Sequence, residues 1–153
     1  MLTLEQKRRN KINRTWERFN ALTVTRCKNE ALTEFQKLRR MQCAGADGFA
    51  NCISCEKRQH WQEMDGGHYI SRSVTATAFN PHNVHAQCKY CNRHLKGNLA
   101  AYRVNLVATV GECSVLILET LKDATEYKLT KFQLATLRVL YKELQQIEKE
   151  KFE

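Results

Sequence analysis

Apolar positions recur at helical spacing at both ends of the chain. Ile12, Trp16 and Phe19 share one helical face, with Thr3 and Gln6 placed to cap its start. A second helix is expected from Asn29 to about Gln42, with Ala31, Phe35 and Leu38 inward. "NLAAYRVNLVATVG" reads as a helix ending near Gly111, and "ECSVLILETL" as a short apolar one. From Thr130 onward, Leu137, Leu140, Leu144 and Ile147 recur through a highly charged segment, a stripe suited to internal packing or to a second subunit. Pro81 is the sole proline, so long stretches lack helix breakers.

The middle differs. "CAGADGFANC" reads as a loop, "QHWQEMDGGHYI" and "NVHAQC" as short strands, and "CKYCNRHLKGN" as a turn entering a helix that Gly97 stops. The expected fold class is α+β, mostly α. A basic helical region spans 1–42, a cysteine-rich ββα core 43–98 and a helical region 99–153, all in one compact domain of 153 residues.

Charge sharpens the picture. The formal net charge is +9, which suits a polyanionic partner. Residues 1–42 carry eleven Lys or Arg against four acids, while 99–153 carry eight of each. The electrostatic footprint therefore centres on Lys7, Arg8, Arg9, Lys11 and Arg14, continued by Lys89, Arg93 and Lys96 on or near the last helix of the core. Contacts of such residues to phosphates give salt-dependent affinity with little sequence reading. No apolar run is long enough to span a bilayer, so no membrane partner is expected and the expected compartment is cytosolic.

Seven cysteines in a reducing compartment point to metal rather than disulfides. Cys52 and Cys55 form one CxxC, and Cys88 and Cys91 another. Four thiolates so arranged suit a structural, tetrahedral Zn²⁺. Cys27, Cys43 and Cys113 lack partner spacing and are expected as buried free thiols, with Cys43 near enough in sequence to Cys52 to compete as a ligand. The zinc would close the loop that contains "MDGGHYISRS". There His68 follows Gly66 and Gly67, a pair that permits a sharp bend.

The order CxxC, Asp65-Gly66-Gly67-His68, Asn83-Val84-His85, CxxC-Asn92 resembles the HNH, or ββα-metal, nuclease motif. The resemblance implies that His68 is the general base, that Asn83 holds the loop between the strands, and that Asn92 and Asp65 bind a catalytic Mg²⁺ or Mn²⁺. Oxygen donors suit those hard cations. His85 and His94 are alternatives that would replace or join Asn92. Arg72, four residues after His68, would brace the scissile phosphate.

"DGGHYISRS", "NVHAQCKYCNRHLKGN" and "YRVNL" are similar, more specifically, to the NinG/Rap recombination proteins of lambdoid phages. That resemblance implies a metal-dependent endonuclease cleaving branched double-stranded DNA, such as Holliday junctions and D-loops, in the cytoplasm of a phage-infected bacterium. Cutting two strands implies a homodimer, and other recombination proteins are implied as partners. Where the family pattern leads to an arginine before the phenylalanine of "TATAFN", this chain has Ala78. The competing class is a zinc-stabilised branched-DNA-binding protein without cleavage activity, and a third is a zinc scaffold for protein interaction.

Overall fold

The computed structural model describes residues 1–153. The fold is mostly helical α+β, with two small antiparallel hairpins set among six helices. α1 (Leu4–Asn20) starts at Thr3, whose side chain accepts from the Gln6 amide while the Gln6 side chain accepts from Thr3 N–H. α2 (Val24–Cys43) begins at Val24 rather than Asn29. Thr23 supplies the side-chain oxygen that caps it, by accepting from Arg26 N–H.

In the cysteine-rich centre, β1 (Phe49–Asn51) pairs with β2 (Arg58–His60), and β3 (Asp65–His68) with β4 (Val84–Gln87). The expected loop "CAGADGFANC" therefore contains a strand, and "QHWQEMDGGHYI" divides into β2, a one-turn 3₁₀ segment (Trp61–Glu63) and β3. A short helix α3 (Thr75–Ala78) lies between β3 and β4. Beyond β4 the chain makes only a single π-helical turn, Tyr90–His94, rather than a helix running to Gly97. Lys96, Gly97 and Asn98 all have positive φ, and this left-handed run breaks the turn from the next helix.

α4 (Leu99–Val110) and α5 (Glu112–Leu121) fold back on each other at Gly111, whose φ is +84°. They bury Tyr102, Leu106, Val115 and Leu118 together. α6 (Lys131–Lys149) packs against α1 and α2, joining Leu134 and Ala135 to Phe19, Cys27 and Ala31. Its buried face is Leu134, Ala135, Val139 and Gln145, while Leu144 and Ile147 of the expected stripe are exposed. Polar contacts to α2 set this rotation. Gln145 Nε2 donates to Glu34, and Arg138 reaches Glu30 and Glu34. No helix is long and apolar enough to cross a membrane.

Candidate active site

The two glycines of β3 admit close neighbours on both faces of the strand. A Cβ on Gly66 would lie 2.7 Å from Gln36 Cβ and 3.0 Å from the Gln36 backbone, so α2 sits directly against the strand. A Cβ on Gly67 would lie 2.9 Å from Gln87 Cβ and collide with Gln87 Oε1. Neither glycine has positive φ. The expected bend is thus a straight strand, and the glycines serve close approach instead. Gln36 Nε2 donates to Gly66 O at 3.0 Å, and the Tyr102 hydroxyl to Gly67 O at 3.0 Å, which ties the strand to α2 and α4.

His68 ends this strand. Its Nε2 lies 3.0 Å from the Ala78 carbonyl, which can only accept, so Nε2 carries the proton and the lone pair of the neutral ring sits on Nδ1. Burial lowers the His68 pKa, the bond to Ala78 partly opposes this, and the charges of Arg72 and Lys28 lower it further. Ala78 is fully buried, so it acts here through its carbonyl.

Asn83 holds the loop between the strands. It is fully buried and bridges the chain: Oδ1 accepts from Ile70 N–H at 2.7 Å, and Nδ2 donates to Ile70 O at 2.9 Å and Thr77 O at 3.0 Å. These bonds fix the segment leaving His68 to α3.

At the other end of β3, Asp65 meets the turn after β4. Asn92 Nδ2 donates to Asp65 Oδ2 at 2.9 Å, and Arg93 donates to both carboxylate oxygens, at 2.7 and 2.8 Å. Burial alone would raise the Asp65 pKa, but the bonds from Arg93 and Asn92 outweigh it and hold the carboxyl below its ordinary value. Asp65, Asn92 and Arg93 line a polar cavity of about 320 Å³ with Arg72 and with Thr33, Gln36 and Arg40 of α2. Three guanidinium groups thus converge on one cavity, a composition suited to phosphate.

Sequence patterning missed Arg40, Gln36, Thr33 and Lys28. Thr33, Gln36 and Arg40 do sit at helical spacing on one face of α2, a polar stripe beside the buried face of that helix, and that was the available signal.

His85 is not part of this cavity. It is buried, at 6% exposure, with Nδ1 3.4 Å from the Tyr102 hydroxyl. Burial, then the charges of Arg39 and His82, press its pKa down to about 4. His94 stacks on Tyr90.

The four CxxC cysteines converge, with their sulfurs all within 4.8 Å of one another and Cys55 Sγ 3.7 Å from Cys88 Sγ. A tetrahedral ion with Zn–S bonds of about 2.3 Å needs sulfurs roughly 3.8 Å apart, so the cluster fits zinc. Backbone and side-chain donors already face it. Cys91 N–H lies 3.4 Å from Cys88 Sγ, and Asn98 Nδ2 lies 3.8 Å from Cys91 Sγ. The cluster joins the β1–β2 hairpin to the end of β4, and Cys43 is not in it. Cys27 is buried as expected, but Cys43 is partly exposed and Cys113 exposed, because the latter lies on the outer side of α5.

The basic residues of α1 are divided. Arg8 and Lys11 pair with Glu143 of α6 at 2.6 and 3.4 Å, and Arg9 with Glu5 at 3.7 Å. Lys7 is exposed, and Arg14 lines a groove between α1 and α6 with Lys11, Arg138 and Lys142. Lys89 and Lys96 are exposed beside the cysteine cluster, whereas Arg93 is engaged with Asp65.

Comparison with known proteins adds an independent line. The family described as Bacteriophage Lambda NinG protein matches residues 3–150. Protein ninG of Escherichia phage lambda is 42% identical over 65 residues, which cover 42% of this chain and 31% of that protein. Protein ninG of Escherichia phage 933W is 40% identical over 65 residues, covering 42% and 32%. Protein ninG of Salmonella phage P22 is 32% identical over 93 residues, covering 60% and 44%. The chain thus spans between about a third and under a half of the length of these relatives. No solved structure matches.

Proposed function

The chain belongs to the NinG family of bacteriophage proteins, and on that footing we propose that it is a metal-dependent endonuclease with an HNH-type centre that cuts branched DNA. Holliday junctions and D-loops are the substrate class, and the two strand cuts of a junction are made by a symmetric pair of chains. The observation that carries the reading is the fixed tautomer of His68, held by the Ala78 carbonyl at 3.0 Å on the same four-residue strand that presents Asp65 to Asn92.

In this reading His68 Nδ1 accepts the proton of an attacking water. The depressed pKa keeps the ring neutral near pH 7, so the lone pair is available without prior deprotonation. Asn83 holds the loop so that His68 cannot swing away from Ala78. Arg72, which lines the polar cavity and lowers the His68 pKa, neutralises the phosphate beside the base, with Arg40 lining the same cavity. Asp65 and Asn92 are adjacent and both carry hard oxygen donors, a set that fits Mg²⁺ or Mn²⁺ once Arg93 releases the carboxylate and the Asn92 amide, whose Nδ2 now faces Asp65, turns its oxygen inward. A divalent ion there would stabilise charge on the phosphate and the leaving oxygen. Lys89, Lys96, Lys7 and Arg14 supply exposed charge for DNA arms.

A second reading, a branched-DNA-binding protein that does not cut, is favoured by one observation: Arg93 occupies both oxygens of Asp65. The two are separated by incubating a labelled four-way junction, and a linear duplex of the same arm sequence, with the protein and Mg²⁺ or Mn²⁺ at low salt. The enzyme cuts the junction in preference to the duplex. Tight junction binding without cutting selects the binding protein.

A further inference from the structure

α3 has two sides. On one, the Ala78 carbonyl holds His68, while at the start of the helix Lys28 Nζ donates to Thr75 Oγ1 at 2.8 Å and Ser73 O at 3.2 Å. On the other, Thr75 and Ala76 form one wall of a groove of about 620 Å³, whose far wall is the start of α6 and the loop before it. That volume lies within the range of small-molecule sites, roughly 300–1,000 Å³. The groove shares no lining residue with the polar cavity.

Its chemistry is specific. Tyr127 and Phe132 on the far wall are 53% and 47% exposed. Phe79 and Tyr141 lie deeper, nearly parallel, with 16° between their planes. Among these rings Asn80 and Gln133 also line the groove, and neither Asn80 Nδ2 nor Gln133 Nε2 donates to any group of the chain. Lys28 Nζ is bonded to Thr75 of the near wall, and Lys131, next to Phe132 of the far wall, donates to Asn20 O. A site of open aromatic faces, spare amide donors and flanking cations suits a flat ring with hydrogen-bonding edges, attached to phosphates.

We propose that this groove takes an unpaired nucleobase turned out at the branch point of DNA whose backbone crosses α3 on the His68 side. The inference rests on the reading of the chain as a DNA-cutting enzyme, and it supplies that reading with a source of selectivity. Bases in an intact duplex are stacked and paired, whereas a branch point exposes a base at low cost. The groove distinguishes the two by shape rather than sequence, since every base has a stacking face.

The test uses 2-aminopurine, whose fluorescence is quenched by stacking, placed either at an unpaired branch nucleotide or within an arm. Binding is followed separately by anisotropy. Quenching of the branch probe alone is expected. Tyr127→Ala should lower affinity for branched DNA about tenfold, the size of one base–aromatic stack, and leave duplex affinity unchanged. Phe132→Leu, which keeps apolar bulk beside Trp16, should act in the same direction. DNA binding with equal signals from both probe positions overturns the groove assignment while leaving the nuclease reading standing. Absence of any DNA binding overturns both. If Tyr127→Ala instead abolishes self-association in sedimentation and leaves DNA discrimination intact, the groove belongs to a second copy of the chain and the nucleobase assignment is wrong.

Discussion

Arg93 and Asp65, 28 positions apart, form a two-point ion pair in which both carboxylate oxygens accept from one guanidinium. The pair brings the turn after β4 onto the start of β3, and it neutralises the carboxylate proposed to bind a divalent ion. Arg93→Ala leaves Asp65 with Asn92 as its remaining hydrogen-bond donor. Mn²⁺ binding in the absence of DNA, measured by calorimetry, should then tighten several-fold. Unchanged Mn²⁺ affinity would show that Asp65 is not the cation's ligand.

Zinc should be present at one ion per chain, held by Cys52, Cys55, Cys88 and Cys91. Structural zinc binding contributes about 10–16 kcal/mol at pH 7, comparable with the whole stability of a domain. Stripping the metal with a strong chelator, or Cys91→Ser, should therefore abolish the cooperative thermal transition. A metal-free protein that melts like the zinc-loaded one would contradict the assignment.

Gly67→Ala places a methyl group where Gln87 already stands. Overpacking of this kind costs about 1–3 kcal/mol, and the urea midpoint should fall accordingly. Cleavage should fall with it, because the same strand carries His68. A neutral outcome would mean that Gln87 can leave its bonds to Ser54 and Gly97 without cost.

His85 sets a pH dependence of stability. Its folded pKa, about 4, lies below the ordinary value of 6.5, so acid protonates the unfolded chain first. Stability is full above about pH 7 and falls as pH drops through 6.5 toward 4. Between pH 7 and 5 the loss should be roughly 2 kcal/mol. His68, lowered in the same sense, adds to it. Urea titrations of wild type and His85→Gln check this: the variant should lose less stability over that interval.

The legibility of the sequence was uneven, for physical reasons. The helix cap at Thr3 is local, and its capping box with Gln6 could be read directly; the same box at Thr130 and Gln133 went unread. The cysteine pairs were equally local, because CxxC spacing alone brings two sulfurs to one side of a turn. β1 escaped because three residues carry no detectable alternation. The glycine pair was misread as a bend because its cause, the approach of Gln36 and Gln87, lies in other elements. Which side of the α6 stripe packs inside the chain is set by a similar long-range effect, the polar hold of Glu34 on Gln145 and Arg138. Arg40 and Gln36 joined the cavity only through the packing of α2 across β3.

The most direct test of the central claim is single-turnover cleavage of a labelled four-way junction by wild type and by His68→Ala, with junction binding measured in the same samples. If His68 Nδ1 is the base, the variant binds as wild type does and cuts at least a hundredfold more slowly, the lower end of what general-base catalysis contributes. Cleavage at the wild-type rate by His68→Ala would contradict the account and move the chemistry away from this strand.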